Sequence, residues 1–223
     1  MLARPLPAPP ATITPPEGYD VSYPQCRKKL PTTGGFAIVG VTHGKPLTTN
    51  PCLATQLRWA RGHQSYAVYV NTSYPRHTDP VAWGRAIARD AIAREHAVGS
   101  AGVPMWWLDV ETVNDWVGTP QENATVLDSV AATLQQAGAR VGIYSSPAMW
   151  PEIAGSWTPA LPNWLAIGPG TAAQALAACD GWGFTGDRPA IVQWVQHTSR
   201  GRLDHNLICP SMRAHARDIL VVR

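Results

Sequence analysis

A chain of 223 residues with 45% hydrophobic content can build one large domain or two small ones around a proper core. Its net charge is only +3, with Lys and Arg scattered and no basic stripe interleaved with aromatics. That excludes a dedicated nucleic-acid binder and leaves weak attraction to polyanions such as an acidic cell envelope. No apolar run approaches the roughly 20 residues that a membrane-spanning helix needs, so membrane insertion is not expected.

The chain opens with a Pro-rich segment, residues 1–17, carrying prolines at 5, 7, 9, 10, 15 and 16. It lacks the apolar stretch of a signal peptide and reads as a flexible lead-in. From residue 18 to 223, short apolar runs alternate with helical stretches. The strands are expected at Tyr19–Ser22, Phe36–Val41, Tyr66–Asn71, Pro104–Glu111, Arg140–Tyr144, Asn163–Ile167, Ala190–Val195 and around Leu203–Asn206. Amphipathic segments fall near Pro51–Gly62, Asp79–Ala97 and Pro120–Ala137, with shorter ones at 147–156 and 171–179. The third opens with Thr119 as N-cap, Pro120 in the first helical position and Glu122 in the first turn, and Gly138 closes it. Eight strands alternating with helices point to an α/β fold, a single (β/α)8-type barrel, irregular and slightly trimmed. An open doubly wound sheet is the alternative, but no Gly-rich phosphate loop follows any strand.

Within the fourth strand the run WWLDVE, 106–111, sets Asp109 and Glu111 at alternate positions. Residues at i and i+2 share a face, roughly 6.6 Å apart along a strand. Trp107, Asp109 and Glu111 therefore face one way, and Trp106, Leu108 and Val110 the other. Two carboxylates in a strand interior need a cavity to receive them, because desolvating charge is costly. Paired carboxylates in a cavity are the equipment of glycosidic-bond hydrolysis. Barrel active sites lie at the C-terminal ends of strands, and polar residues collect there: Asp20 and Ser22, Asn71, Asp109 and Glu111, then Tyr144. Gln193 lies on the seventh strand, and Asp204 and Asn206 on the eighth.

The remaining chemistry is sparse. Cys26, Cys52, Cys179 and Cys209 form no CxxC pair, which argues against a zinc site and fits two disulfides in an exported protein. Cys26–Cys52 with Cys179–Cys209 is the most local pairing, and two other connectivities stay open. The seven histidines show no metal-like spacing, and His205 should face away from Asp204. Ser145 and Ser146 lack a nucleophile elbow. Most of the ten tryptophans belong to the core, with Trp107 and Trp164 the candidates for a sugar platform. Neither a metal nor a cofactor is called for.

The segments GYDVS (18–22), LDVE (108–111), GIYSS (142–146), WLA (164–166), QW (193–194) and LDHN (203–206) together resemble glycoside hydrolase family 25, the Chalaropsis-type lysozymes. Strand three, YVNTSYP (69–75), the insertion HGKPLTTNPC (43–52) and the cysteines look closer to exported actinobacterial glycoside-hydrolase-like domains. The resemblance implies a secreted or envelope-associated monomer cleaving β-1,4-linked amino-sugar polymer, peptidoglycan in the simplest case. It carries over an acidic set of Asp20, Asp109, Glu111 and Asp204. Glu111 is expected as general acid, its pKa raised by burial and by Asp109. Asp109 would stabilise developing oxocarbenium charge or position the substrate N-acetyl group, and Asp20 and Asp204 would orient water or sugar. Asn71, Trp107, Tyr144, Trp164, Gln193 and Asn206 are the expected substrate contacts. A catalytically silent glycan-binding barrel, or a glycosidase for another polysaccharide, is the alternative.

Overall fold

The computed structural model describes residues 13–14, 16–75, 78–99, 102–198 and 201–222. Eight strands close into a barrel: β1 (Glu17–Val21), β2 (Phe36–Gly40), β3 (Ser65–Asn71), β4 (Met105–Asp109), β5 (Arg140–Ser145), β6 (Asn163–Pro169), β7 (Pro189–Thr198) and β8 (Gly201–Ile208). Going round the barrel, β1 and β2 lie side by side, β2 pairs with β3, and the order runs through β4, β5, β6 and β7 to β8, which returns to β1. The first seven strands run parallel to one another.

β8 departs from the expected plan: it is antiparallel to both β7 and β1. Only residues 199 and 200 separate β7 from β8, too few for the crossover that a parallel return requires. The mouth of the barrel therefore meets the beginning of β8 rather than its end. Helices α1 (Leu53–Ala60), α2 (Pro80–Ala97), α3 (Pro120–Gln136), α4 (Met149–Ala154) and α5 (Ala172–Ala178) follow β2 to β6, and among the described residues no α-helix lies between β1 and β2 or between β7 and β8. On that uncovered side, the ring of His205 packs between Trp194 and Tyr19, at centroid distances of 5.0 and 4.9 Å. His205 thus points outward, away from Asp204.

Local sequence explains the helix starts. Thr119 accepts from the Glu122 amide while the Glu122 carboxylate accepts from the Thr119 amide, and Pro120 fills the first helical position of α3. Thr171 and Gln174 repeat the device on α5, and Asp79 accepts from Ala82 at 2.8 Å on α2. Strand alternation then sorts the core. Outward-facing Val39, Val68, Val70, Trp106, Leu108 and Val110 are sealed against the helices. Inward-facing Phe36, Ile38, Ala67, Met105, Trp107 and Trp164 fill the barrel. Gly142 makes room for this filling: a Cβ there would lie 2.3 Å from the Trp107 ring.

The lower end of the barrel is plugged. Ile219 and Leu220, on and after helix α6 (Ala216–Ile219), join Ile13 in the inner core. An additional strand, β9 (Val221–Val222), pairs antiparallel with Ser65 and Tyr66 at the start of β3. The Pro-rich lead-in thus contributes to the fold at its end. Ile13 is buried, the Thr14 backbone exchanges hydrogen bonds with the Gln64 side chain, and β1 already begins at Glu17. Residues 1–12 of that segment lie outside the described residues.

Cys26 is bonded to Cys52 and Cys179 to Cys209, the most local of the three connectivities. The first ties the segment after β1 to the start of α1, and the second ties the end of α5 to the residue after β8.

Candidate active site

The upper layer of the barrel is polar where the lower layers are apolar. Asp20, Tyr69, Asp109, Glu111, Tyr144, Trp164, Gln193, Arg202 and Asp204 line one open cleft. All four acids of the expected set are there, although they are far apart in the chain. Asp20 and Asp204 are direct partners across β1 and β8. Asp109 ends β4, while Glu111 lies two residues beyond it, on the loop toward α3. The strand is thus shorter than expected. Glu111 is held in its loop by backbone bonds to its carbonyl from the Asn114 amide and the Trp116 indole, at 3.1 and 2.9 Å.

Two polar networks orient the acids. Asp20 Oδ2 accepts from Gln193 Nε2 at 2.9 Å and from Asn206 Nδ2 at 2.7 Å. The Tyr144 hydroxyl donates to Gln193 Oε1 at 2.8 Å, and the Trp164 indole donates to Asn206 Oδ1 at 2.7 Å. These outer bonds fix both amides so that their NH2 groups face Asp20. On the other side, Asn71 Nδ2 donates to Asp109 Oδ2, and the Thr42 hydroxyl donates to Asn71 Oδ1 at 2.6 Å. Asp109 Oδ1 is buried with no N–H or O–H donor among the described residues.

Burial pushes all four carboxyls above their usual range. Asp20 and Asp109 rise furthest: both are buried, and the neighbouring charges of Asp204 and Glu111, respectively, add to the effect. For Glu111, of the two expected causes burial acts as expected and Asp109 acts the other way. Desolvation raises it, but its hydrogen bond with Asp109 lowers it, as does the charge of Arg202. Asp109 takes the opposite effect from the same bond and is raised by it. Between the two, that bond favours a proton on Asp109 over one on Glu111. Buried among these charges, the Tyr69 and Tyr144 hydroxyls are pushed well up and stay protonated.

The expected substrate contacts divide. Tyr144 and Gln193 line the cleft. Asn71 and Asn206 are buried behind the carboxyls they hold and do not line it. Trp107 is fully buried, beneath the cleft floor rather than on it. Trp164 reaches the lining but is only 1% exposed, packed edge-on against Tyr144, Trp107 and Tyr69. Neither indole presents a ring face as a sugar platform, because strand parity aims both into the packed barrel. Tyr69 and Arg202 are lining residues that the sequence reading passed over. Both were accessible to it, since each lies two positions from a residue already assigned to the inner face, Asn71 and Asp204.

Among the described residues, no group of three or more His, Cys, Asp or Glu is arranged to hold a metal ion, and no helix is long and apolar enough to cross a membrane. What the cleft offers is four carboxyls raised by burial, oriented by amides and phenols.

This fold and this acid-lined cleft define a protein like the family 25 glycoside hydrolases. The pattern of the family described as Lysozyme-like protein 1 matches residues 58–178, and the chain belongs to that family. Among curated relatives, "Probable GH family 25 lysozyme 4" of Dictyostelium discoideum is 33% identical over 98 residues, which is 43% of this chain and 44% of that protein. The stretches matched in the curated relatives span less than half of their lengths. Among solved structures, a muramidase from Acremonium alcalophilum superposes with a TM-score of 0.65 at 16% identity, covering 91% of this chain and 98% of that one. A family GH25 lysozyme from Aspergillus fumigatus gives 0.65 at 14% identity, covering 94% and 100%. At these identities the superpositions establish the shared barrel.

Proposed function

We propose that this protein is an exported glycoside hydrolase that cleaves β-1,4-linked amino-sugar polymer, peptidoglycan in the first instance. The observation that carries the reading is the convergence of Asp20, Asp109, Glu111 and Asp204 in one cleft. Family membership and the lysozymes and muramidases among its relatives support it. Glu111 is the general acid: of the Asp109–Glu111 pair it is the less enclosed and so the better placed to reach a glycosidic oxygen, and desolvation raises its carboxyl in the direction an acid needs. It would donate to the leaving glycosidic oxygen. Asp109, held by Asn71, stabilises the positive charge developing at the sugar or positions the substrate N-acetyl group. Asp20, fixed by Gln193 and Asn206, and Asp204 orient sugar or water. The two disulfides are compatible with a secreted or envelope-associated, monomeric protein.

Incubation with purified peptidoglycan tests the proposal. New reducing ends, with loss of turbidity, are the expected result. Sedimentation with the polymer without release of ends would make the protein a glycan binder instead.

A further inference from the structure

A second pocket opens in the helical layer, where α2 and α3 end and β4 begins. His96, Gly102 and Ala137 are exposed at its mouth, and Glu95, Val103 and Trp106 are buried at its back. It shares no lining residue with the acidic cleft. Trp106 lies near the start of β4 and packs in the outer core, whereas Asp109 ends the strand at the barrel mouth. Glu95 is 0% exposed, and neither of its carboxyl oxygens is hydrogen-bonded among the described residues. The Trp106 indole does not serve it, since that N–H donates to the Val103 carbonyl at 2.9 Å. His96 Nε2 stops 3.6 Å from Glu95 Oε2, and burial outweighs the charges of His96 and Arg61, leaving the carboxyl raised.

A buried carboxyl without a donor destabilises the fold, and at the back of an open pocket it is also a binding group. The carbonyl ends of two long helices add to its pull: α2 has 18 residues and α3 has 17, and both finish at this pocket. Such a pocket attracts a cation. A divalent metal would lack ligands there. No third His, Cys, Asp or Glu joins Glu95 and His96 among the described residues, and the side chains of Val103 and Trp106 offer none. We propose that the pocket binds a primary alkylammonium ion, its head group donating to Glu95 while its chain lies against Val103 and Trp106. Three N–H donors suit two carboxylate oxygens, and an indole in the wall adds its own attraction for a cation. The site is independent of the chemistry in the cleft.

Titration of the full chain, followed residue by residue through its amide NMR signals, tests the proposal with three probes. Butylammonium is the cation, butan-1-ol its neutral counterpart, and a lysine capped at both ends carries the same amine on a peptide unit. The amides of Gly102, Val103 and Ala137 should shift, and butylammonium should bind about tenfold tighter than butan-1-ol. Capped lysine binding as tightly or tighter makes the natural ligand a peptide side chain, and weaker binding makes it a free amine. Glu95→Gln should erase the preference for the cation. Ala137→Leu, at the exposed mouth, should weaken amine binding without touching the core. Equal affinity for amine and alcohol, shifts confined to the acidic cleft, or a preference that neither substitution moves would overturn the proposal.

Discussion

Asp20 on β1 and Asp204 on β8 sit directly opposite one another in antiparallel register, so carboxyls from the two ends of the chain share one patch of the barrel mouth. The burial of Asp20 and its bonds to Gln193 and Asn206 make it the fixed member. Asp204 is the more open one, turned toward Arg202. Their charges couple to each other and to Glu111 across the cleft.

That coupling gives a pH prediction with a definite sign. The negative charge of Asp204 raises the Glu111 carboxyl, so Asp204→Asn lowers it. A general acid works only while protonated, so the alkaline limb of the kcat/KM profile should move to lower pH in the variant. A pH–rate series on a soluble glycan reads this directly, and a limb that stays in place or moves upward would contradict it.

Glu95 predicts a stabilising substitution away from the cleft. It lies near the end of α2, fully buried, with neither carboxyl oxygen hydrogen-bonded among the described residues, His96 Nε2 at 3.6 Å and the charge of Arg61 acting on it as well. Burial raises its pKa, so the folded state holds its proton to higher pH than the unfolded chain does. The associated stability is present below the ordinary glutamate range and is lost as pH rises through the folded value. Glu95→Leu should therefore raise the melting temperature at neutral pH, by about 2–4 °C for each kcal/mol recovered. The advantage should shrink toward acid pH. Melting curves across that range check both statements.

Gly142 predicts the opposite effect. Its Cβ-free surface lies against the Trp107 ring, which has no space to retreat within the inner core. Gly142→Ala overpacks that contact and should cost about 1–3 kcal/mol, measured as a lower denaturation midpoint.

The two disulfides close segments of 26 and 30 residues in the unfolded chain. Replacing either pair with serine should lower stability by about 2–4 kcal/mol. Loss of Cys26–Cys52 should also loosen the loop carrying Arg27, Lys28 and Lys29, which hydrogen exchange in that segment would detect.

Much of this arrangement is legible in the sequence because strand alternation encodes the face on which each side chain lies. The inward positions of Asp20, Asp109, Tyr144, Gln193 and Asp204 all follow from it. Alternation says nothing about depth, however, so Trp107 is assigned correctly to the inner face, yet both it and Trp164 lie below the level a sugar can reach. Strand direction is equally silent, since an apolar pattern reads the same either way. The reversal of β8 is visible only in the two-residue gap after Thr198, which the shorter expected strands conceal. The opposite effects of the Asp109–Glu111 bond on its two members depend on how deeply each is buried, a tertiary fact with no local signature.

The central claim is that Glu111 supplies the proton. Reducing-end release from purified peptidoglycan by wild type and by Glu111→Gln, each verified as folded, tests it most directly. The amide should lower kcat by about 10²–10⁴-fold, the contribution typical of a positioned acid, with glycan binding retained. Equal turnover by the two proteins would contradict the assignment.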